Sequence, residues 1–267
     1  MRRIRCAIRS RPIGITPLST ALAGVSLLQL LLIAGVALFA AMIGGVTGYG
    51  TGALMPLVLV PLIGAEPVVP IIAISALFTN ASRAAAFRGF IDPRRTGIVL
   101  AAAIPLCIVS AYGYTLLNNR GAMIVIGAML ILTVPLRHVL RRRDIRLGER
   151  GLAVGAAGWG ALVGGTTGAG IVLLSLLMAS GLHGAAVIAT DAAISIGIGL
   201  IRITVFGIAG VVTAQVLTFA LLIGLIAVPG TFLARALVAR LPLRVHTAIL
   251  DAVVVLGGAA MLFGALR

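Results

Sequence analysis

The sequence predicts an all-α, polytopic integral membrane protein of about eight transmembrane helices, arranged as two four-helix repeats whose first helices are broken by glycine. Three observations carry that expectation. Apolar residues fill 61% of the 267 positions and charged residues only 10%, with a mean hydropathy of +1.21, too little polar material to cover a water-soluble surface. A glycine-rich string occurs twice within apolar runs, as Gly44-Gly45-Val46-Thr47-Gly48-Tyr49-Gly50 and, 120 residues later, as Gly164-Gly165-Thr166-Thr167-Gly168-Ala169-Gly170. All 21 basic residues are arginine, and they gather mainly between the apolar runs, as the loops of a membrane protein do.

In chain order, residues 1–20 form a basic arm containing Arg2, Arg3, Arg5, Arg9 and Arg11. The apolar stretch behind it, from about Ala21 to Ile43, is longer than the core of a secretory signal, so the expectation is a retained first span with the arm in the cytoplasm. The first repeat covers 21–138, with apolar runs at roughly 21–63 (interrupted at the glycines), 68–87, 97–117 and 121–138. Residues 139–150 make a basic linker: Arg137 to Arg150 hold six arginines beside Asp144 and Glu149, a density that belongs outside hydrocarbon. The second repeat, 151–267, has runs at roughly 152–180 (again interrupted), 185–206, 212–234 and 246–266. Glu66-Pro67 and Asp92-Pro93 read as helix starts, an acidic cap followed by proline in the first turn.

If each broken run crosses once, each half crosses four times and the two are parallel repeats. The arginines then divide fifteen to four between cytoplasm and exterior, with Arg83 and Arg202 inside spans. The exterior four include Arg235, Arg240 and Arg244, which a returning second break would move to the cytoplasm. Duplication extends past the glycines: Arg83-Ala84-Ala85-Ala86-Phe87 is echoed by Arg202-Ile203-Thr204-Val205-Phe206 at an offset of 119.

Several function classes are disfavoured. The net charge of +15 invites a nucleic-acid reading, but the basic residues flank apolar spans and lack an aromatic stacking surface, Trp159 and three tyrosines being too few. Cys6 and Cys107 form no disulfide pattern, and His138, His183 and His246 have no metal-ligand spacing. Neither a metal nor a cofactor is expected. The glycine strings do not complete a dinucleotide fingerprint, and no strand precedes them.

Breaking a helix within a bilayer frees backbone N–H and C=O groups that protein, water or a ligand must satisfy. A half-helix N-terminus is an anion cradle. On this reading Gly44, Gly45, Gly48, Gly50, Gly164, Gly165, Gly168 and Gly170 let a small anion approach, and Thr47, Thr166 and Thr167 add hydroxyls. The competing reading is that the glycines serve only close helix packing.

Charges embedded in spans are the next signal. Asp191, Ser195, Gly199 and Arg202 are spaced 4, 4 and 3, on one helix face. Asn80 and Arg83 correspond to Gly199 and Arg202, and Thr190 adjoins the face. Two guanidiniums facing a cavity would suit an oxyanion; the alternative is that both snorkel from nearby helix ends. Asp191 lies about 16 Å along its own helix from Arg202, so each needs another partner. A buried carboxyl at 191 is a candidate carrier of a coupling proton, or a hydrogen-bonded structural aspartate.

The first glycine string followed by Met55-Pro56-Leu57, the stretch from Phe87 to Asp92, and the second string followed by Ala189-Thr190 resemble the sulfite exporter TauE/SafE family, which is grouped with toluene-sulfonate uptake permeases. The resemblance covers nearly the whole chain after the arm. It implies a multi-pass carrier of the bacterial inner membrane moving small anions such as sulfite or organosulfonates. The sequence departs from the pattern in Val46-Thr47 within the first string and in the aspartate at 191.

The reading that results is a secondary transporter whose partners are a small anionic substrate and the lipid bilayer, compatible with a homo-oligomer, working by alternating access and coupled to protons through Asp191. The rival readings are an intramembrane enzyme acting on a lipid or sulfur compound, and a passive anion channel.

Overall fold

Long apolar segments punctuated by charged turns leave the chain one way to satisfy its backbone in lipid, by helices. The computed structural model describes residues 26–47, 50–142, 146–237 and 243–267, and these form ten α-helices and one 3-10 turn. The helices are α1 (Leu27–Thr47), α2 (Gly50–Ile63), α3 (Val68–Ala86), α4 (Pro93–Thr115), α5 (Asn119–Arg142), α6 (Glu149–Val163), α7 (Gly170–Ala179), α8 (Ala185–Ile208), α9 (Ala214–Leu237) and α10 (Leu243–Leu266). α3, α4, α8 and the Asn119–Leu136 part of α5 are long and apolar enough to cross a membrane. The outward surface is apolar as well: Leu28, Val154, Ile208, Leu256 and Phe263 are each at least 70% exposed, which only a lipid environment tolerates.

Each broken run is two helices, interrupted where the glycine strings predict. Contacts at the helix ends then fix direction. At one end, here the linker end, Leu147 N–H donates to Ala179 O at 2.8 Å, Arg95 Nη2 donates to Ser180 O at 2.8 Å, and Arg94 pairs with Glu149 at 2.6 Å. At the far end Tyr114 Oη donates to Ala65 O at 2.7 Å and Ala65 N–H donates to Asn119 Oδ1 at 2.6 Å.

Two corrections follow. Leu147, two residues before α6, is hydrogen-bonded to the last residue of α7, so the second broken run enters from the linker end and returns there instead of crossing. α3 runs from the far end to the linker end, whereas its counterpart α8 runs the opposite way, so corresponding helices are antiparallel. The parallel orientation assumed one crossing per broken run, and a returning hairpin removes that crossing. It also carries the end of α9 and the start of α10 to the linker end, where α3 ends and α4 begins.

Packing obeys an exchange between the halves. α1 lies on α9 as α6 lies on α4; α3 lies on α9 as α8 lies on α4; α3 meets α8 and α5 meets α10. Glycine permits the closest approaches: a Cβ on Gly127 would come 2.8 Å from Gly258 O, and one on Gly160 would come 2.3 Å from Ala103 O. Without a strong hydrophobic drive between helices in lipid, such small-residue contacts supply the packing.

Candidate functional site

α3 and α8, buried against each other at the centre, each present a polar stripe on an otherwise apolar helix. The stripes are Ile72, Ala76, Thr79, Asn80 and Arg83 on α3, and Asp191, Ser195, Ile198, Gly199 and Arg202 on α8. Every member of one is offset by 119 from its counterpart in the other, and all ten line one cavity of about 130 Å³. That volume holds more than a single water. Ala41, the start of α2, Trp159, Val163 and the 166–170 tip of the α6–α7 hairpin complete the wall.

The two tips meet through glycine. A Cβ on Gly52 would sit 2.8 Å from Gly168 N, and Gly168 itself turns at φ +80°, a conformation costly for any residue with a Cβ. Trp159 Nε1 donates to Ala169 O at 2.9 Å, fastening α6 to the tip.

Both span-embedded arginines point inward, so the snorkelling alternative does not hold. The Arg83 side chain is 13% exposed; its Nη2 lies 3.2 Å from Asp191 Oδ2 and also donates to Asn80 Oδ1. This ion pair joins α3 to α8. Breaking such a buried pair costs about 3–5 kcal/mol. Arg202, 7% exposed, has no carboxylate partner among the described residues. Its Nε donates to Gly164 O at 3.2 Å and its Nη2 to Thr166 O at 3.0 Å, while its guanidinium carbon stands 5.9 Å from the Phe206 ring centroid. The carbonyls that accept these bonds belong to the helix break, where the α-helical ladder ends and leaves them free. Among the described residues, two buried side-chain atoms of cavity-lining residues lack any hydrogen-bond partner, Thr167 Oγ1 and Asp191 Oδ1.

The cavity therefore brings together Gly50, Asn80, Arg83, Thr166, Thr167, Gly168, Gly170, Asp191 and Arg202 of the residues singled out in the sequence. Gly164 and Gly165 serve packing at their Cα: a Cβ on either would come within 2.8 Å of α4, against Ser110 and its neighbours. Thr190 is fully buried and lies outside the cavity wall; its Oγ1 accepts the Asp92 N–H at 3.0 Å. Asp92 in turn caps α4: the Arg95 N–H it accepts at 2.9 Å, reinforced by the Arg95 guanidinium, holds the carboxyl below the usual carboxylate range. Gly44, Gly45 and Thr47 fall in the last turn of α1, with side-chain surroundings outside the described residues, as is Gly48 altogether. The basic arm lies outside them too.

Sequence reasoning missed Ile72, Ala76, Thr79, Thr51 and Trp159. The first three were legible, since applying the offset of 119 to Asp191, Ser195 and Ile198 names them. Nothing in the sequence marked Trp159.

A sequence model of the family described as sulfite exporter TauE/SafE matches residues 33–261 of the chain. Neither a curated protein nor a solved structure matches it.

Proposed function

Because the chain belongs to the sulfite exporter TauE/SafE family, a family of membrane anion transporters, we propose that the central cavity is the substrate site of a secondary carrier for sulfite or an organosulfonate. The observation that carries this reading is Arg202, a buried guanidinium whose charge no carboxylate among the described residues cancels and whose carbonyl partners sit at the tip of a broken helix. An uncompensated charge at membrane depth is expensive to maintain, and an oxyanion arriving beside it removes that expense. Arg donors match oxyanion geometry, and the glycine tips leave room for one.

The antiparallel halves suit alternating access. In the proposed cycle the chain consists of two duplicated units flanking the 139–150 linker, and the cavity opens toward one end or the other as one unit rocks against its twin. The Arg83–Asp191 pair crosses the seam between the units, so Asp191 is the candidate for a coupling proton. The arginines gathered at the linker end favour a cytoplasmic linker in a bacterial inner membrane.

The test is flux in proteoliposomes of sulfite, sulfate, a sulfonate and a carboxylate, with and without a pH gradient. Saturable, gradient-dependent sulfite or sulfonate flux is expected. Arg202→Ala should lower it on the order of a hundredfold or more, the loss that follows from deleting one charged partner of a buried contact. Unchanged flux in a variant that inserts normally sinks the assignment.

A further inference from the structure

The cavity contains three charged side chains among the described residues: Arg83 on α3, Asp191 on α8 and Arg202 on α8. The first two cancel, so the site carries one net positive charge. The next ionic cluster, Asp92 with Arg95 at the start of α4, lies outside the wall, on the far side of Thr190. One net positive charge neutralises one negative charge, and a dianion would leave a second charge without a counter-charge in the cavity wall.

The unpartnered atoms add a second, independent requirement. Asp191 is 2% exposed and only its Oδ2 is engaged; Oδ1 has no donor, and Thr167 Oγ1 has no partner either. An ionised carboxylate oxygen accepts only. Leaving it unmet when buried is unfavourable, and what it calls for is a hydrogen-bond donor. The opposite stripe does not supply one among the described residues: Arg83 reaches Oδ2, and Thr79 Oγ1 donates to Ala76 O.

We infer that the cavity takes its oxyanion in the singly charged, still-protonated form, with anionic oxygens on Arg202 and the ligand's own hydroxyl donating to Asp191 Oδ1. For sulfite this means hydrogensulfite rather than the dianion. Thr167 supplies a hydroxyl to a remaining oxygen. The inference rests on the oxyanion-carrier reading and narrows it: sulfate fails on charge, and a simple sulfonate fails for want of a proton to donate. A site built to pair a ligand hydroxyl rejects analogues lacking it by large factors. Here at least about tenfold is expected.

Trp159 is the only tryptophan of the chain and lies in the cavity wall, so its fluorescence reports occupancy directly. The full-length protein, purified in detergent, is titrated with sodium sulfite, sodium sulfate and sodium methanesulfonate over a pH series spanning the second ionisation of sulfurous acid. The expected result is an apparent sulfite affinity that falls about tenfold per pH unit above that ionisation, as one proton is taken up per ligand bound. Sulfate and methanesulfonate should bind at least about tenfold more weakly than sulfite at the acid end. Methanesulfonate has no proton to lose in this window, so its affinity should stay flat; a matching slope would assign the proton to the protein and overturn the inference. So would sulfite binding that ignores pH, or three anions that bind alike, both of which leave the carrier reading standing. Fluorescence unmoved by all three anions defeats that reading and this inference together. Asp191→Asn raises the cavity's net charge to two and should move preference toward sulfate, a reversal that mere loss of packing would not produce.

Discussion

The stripe on α3 and the stripe on α8 share one spacing and end on the same residue type, yet their arginines live differently. Arg83 is neutralised by Asp191 from across the seam. Arg202 donates to two carbonyls and stands over an aromatic ring, and the residue that corresponds to Asp191 in the first half is Ile72. One substitution, aspartate for isoleucine, thus separates an arginine that holds the halves together from one that stays available. Two guanidiniums occupy equivalent positions, and a difference at a single pair of positions separates their surroundings.

Restoring the symmetry is the strongest way to break the comparison. Ile72→Asp puts a carboxylate at the place from which, by the exchange between halves, Arg202 would be paired. Flux should fall about as far as in Arg202→Ala, although every arginine remains. Undiminished transport would mean that the stripes are alike in sequence but not in space. Next in size is the contact between the tips. In Gly52→Ala the new Cβ would press on the backbone nitrogen of Gly168 at 2.8 Å, where no side chain can move aside. Substantial loss of flux with normal insertion is expected, whereas Gly35→Ala, which meets nothing within 4 Å, should transport normally. The smallest effect belongs to Thr190→Val, which leaves the Asp92 N–H without its acceptor outside the cavity. It should cost about 1–3 kcal/mol of stability, read as a lower unfolding midpoint, with substrate affinity unchanged. A shift in affinity would return Thr190 to the site.

Much of this was legible in the chain. Apolar run lengths located the helices to within a few residues, and the glycine strings marked the interruptions. The Asp191–Arg202 face was readable because helical spacing of 4, 4 and 3 is a local property. Orientation was not, because a broken run that crosses and one that returns have the same composition; the difference lies in whether Leu147 meets Ala179, a contact 32 residues apart. The partner of Asp191 was likewise hidden in long-range packing. The sequence showed that no neutralisation was possible within α8, but not that the answer lay on α3. The glycines divided for the same reason: Gly164 and Gly165 abut α4, while Gly168 and Gly170 face the cavity, and no local pattern tells those fates apart.

The exchanged packing of the halves also sets an order of events at the ribosome. α1 is synthesised well before α9, against which it packs and which begins only at Ala214. At about 5–20 residues per second, that gap is on the order of ten seconds or more. α1 has to wait in lipid or in the insertion machinery, and its 21 largely apolar residues, free of charge, equip it to do so. The central cavity cannot form until the second half has arrived, because Asp191, the partner of Arg83, and half of the wall lie in it.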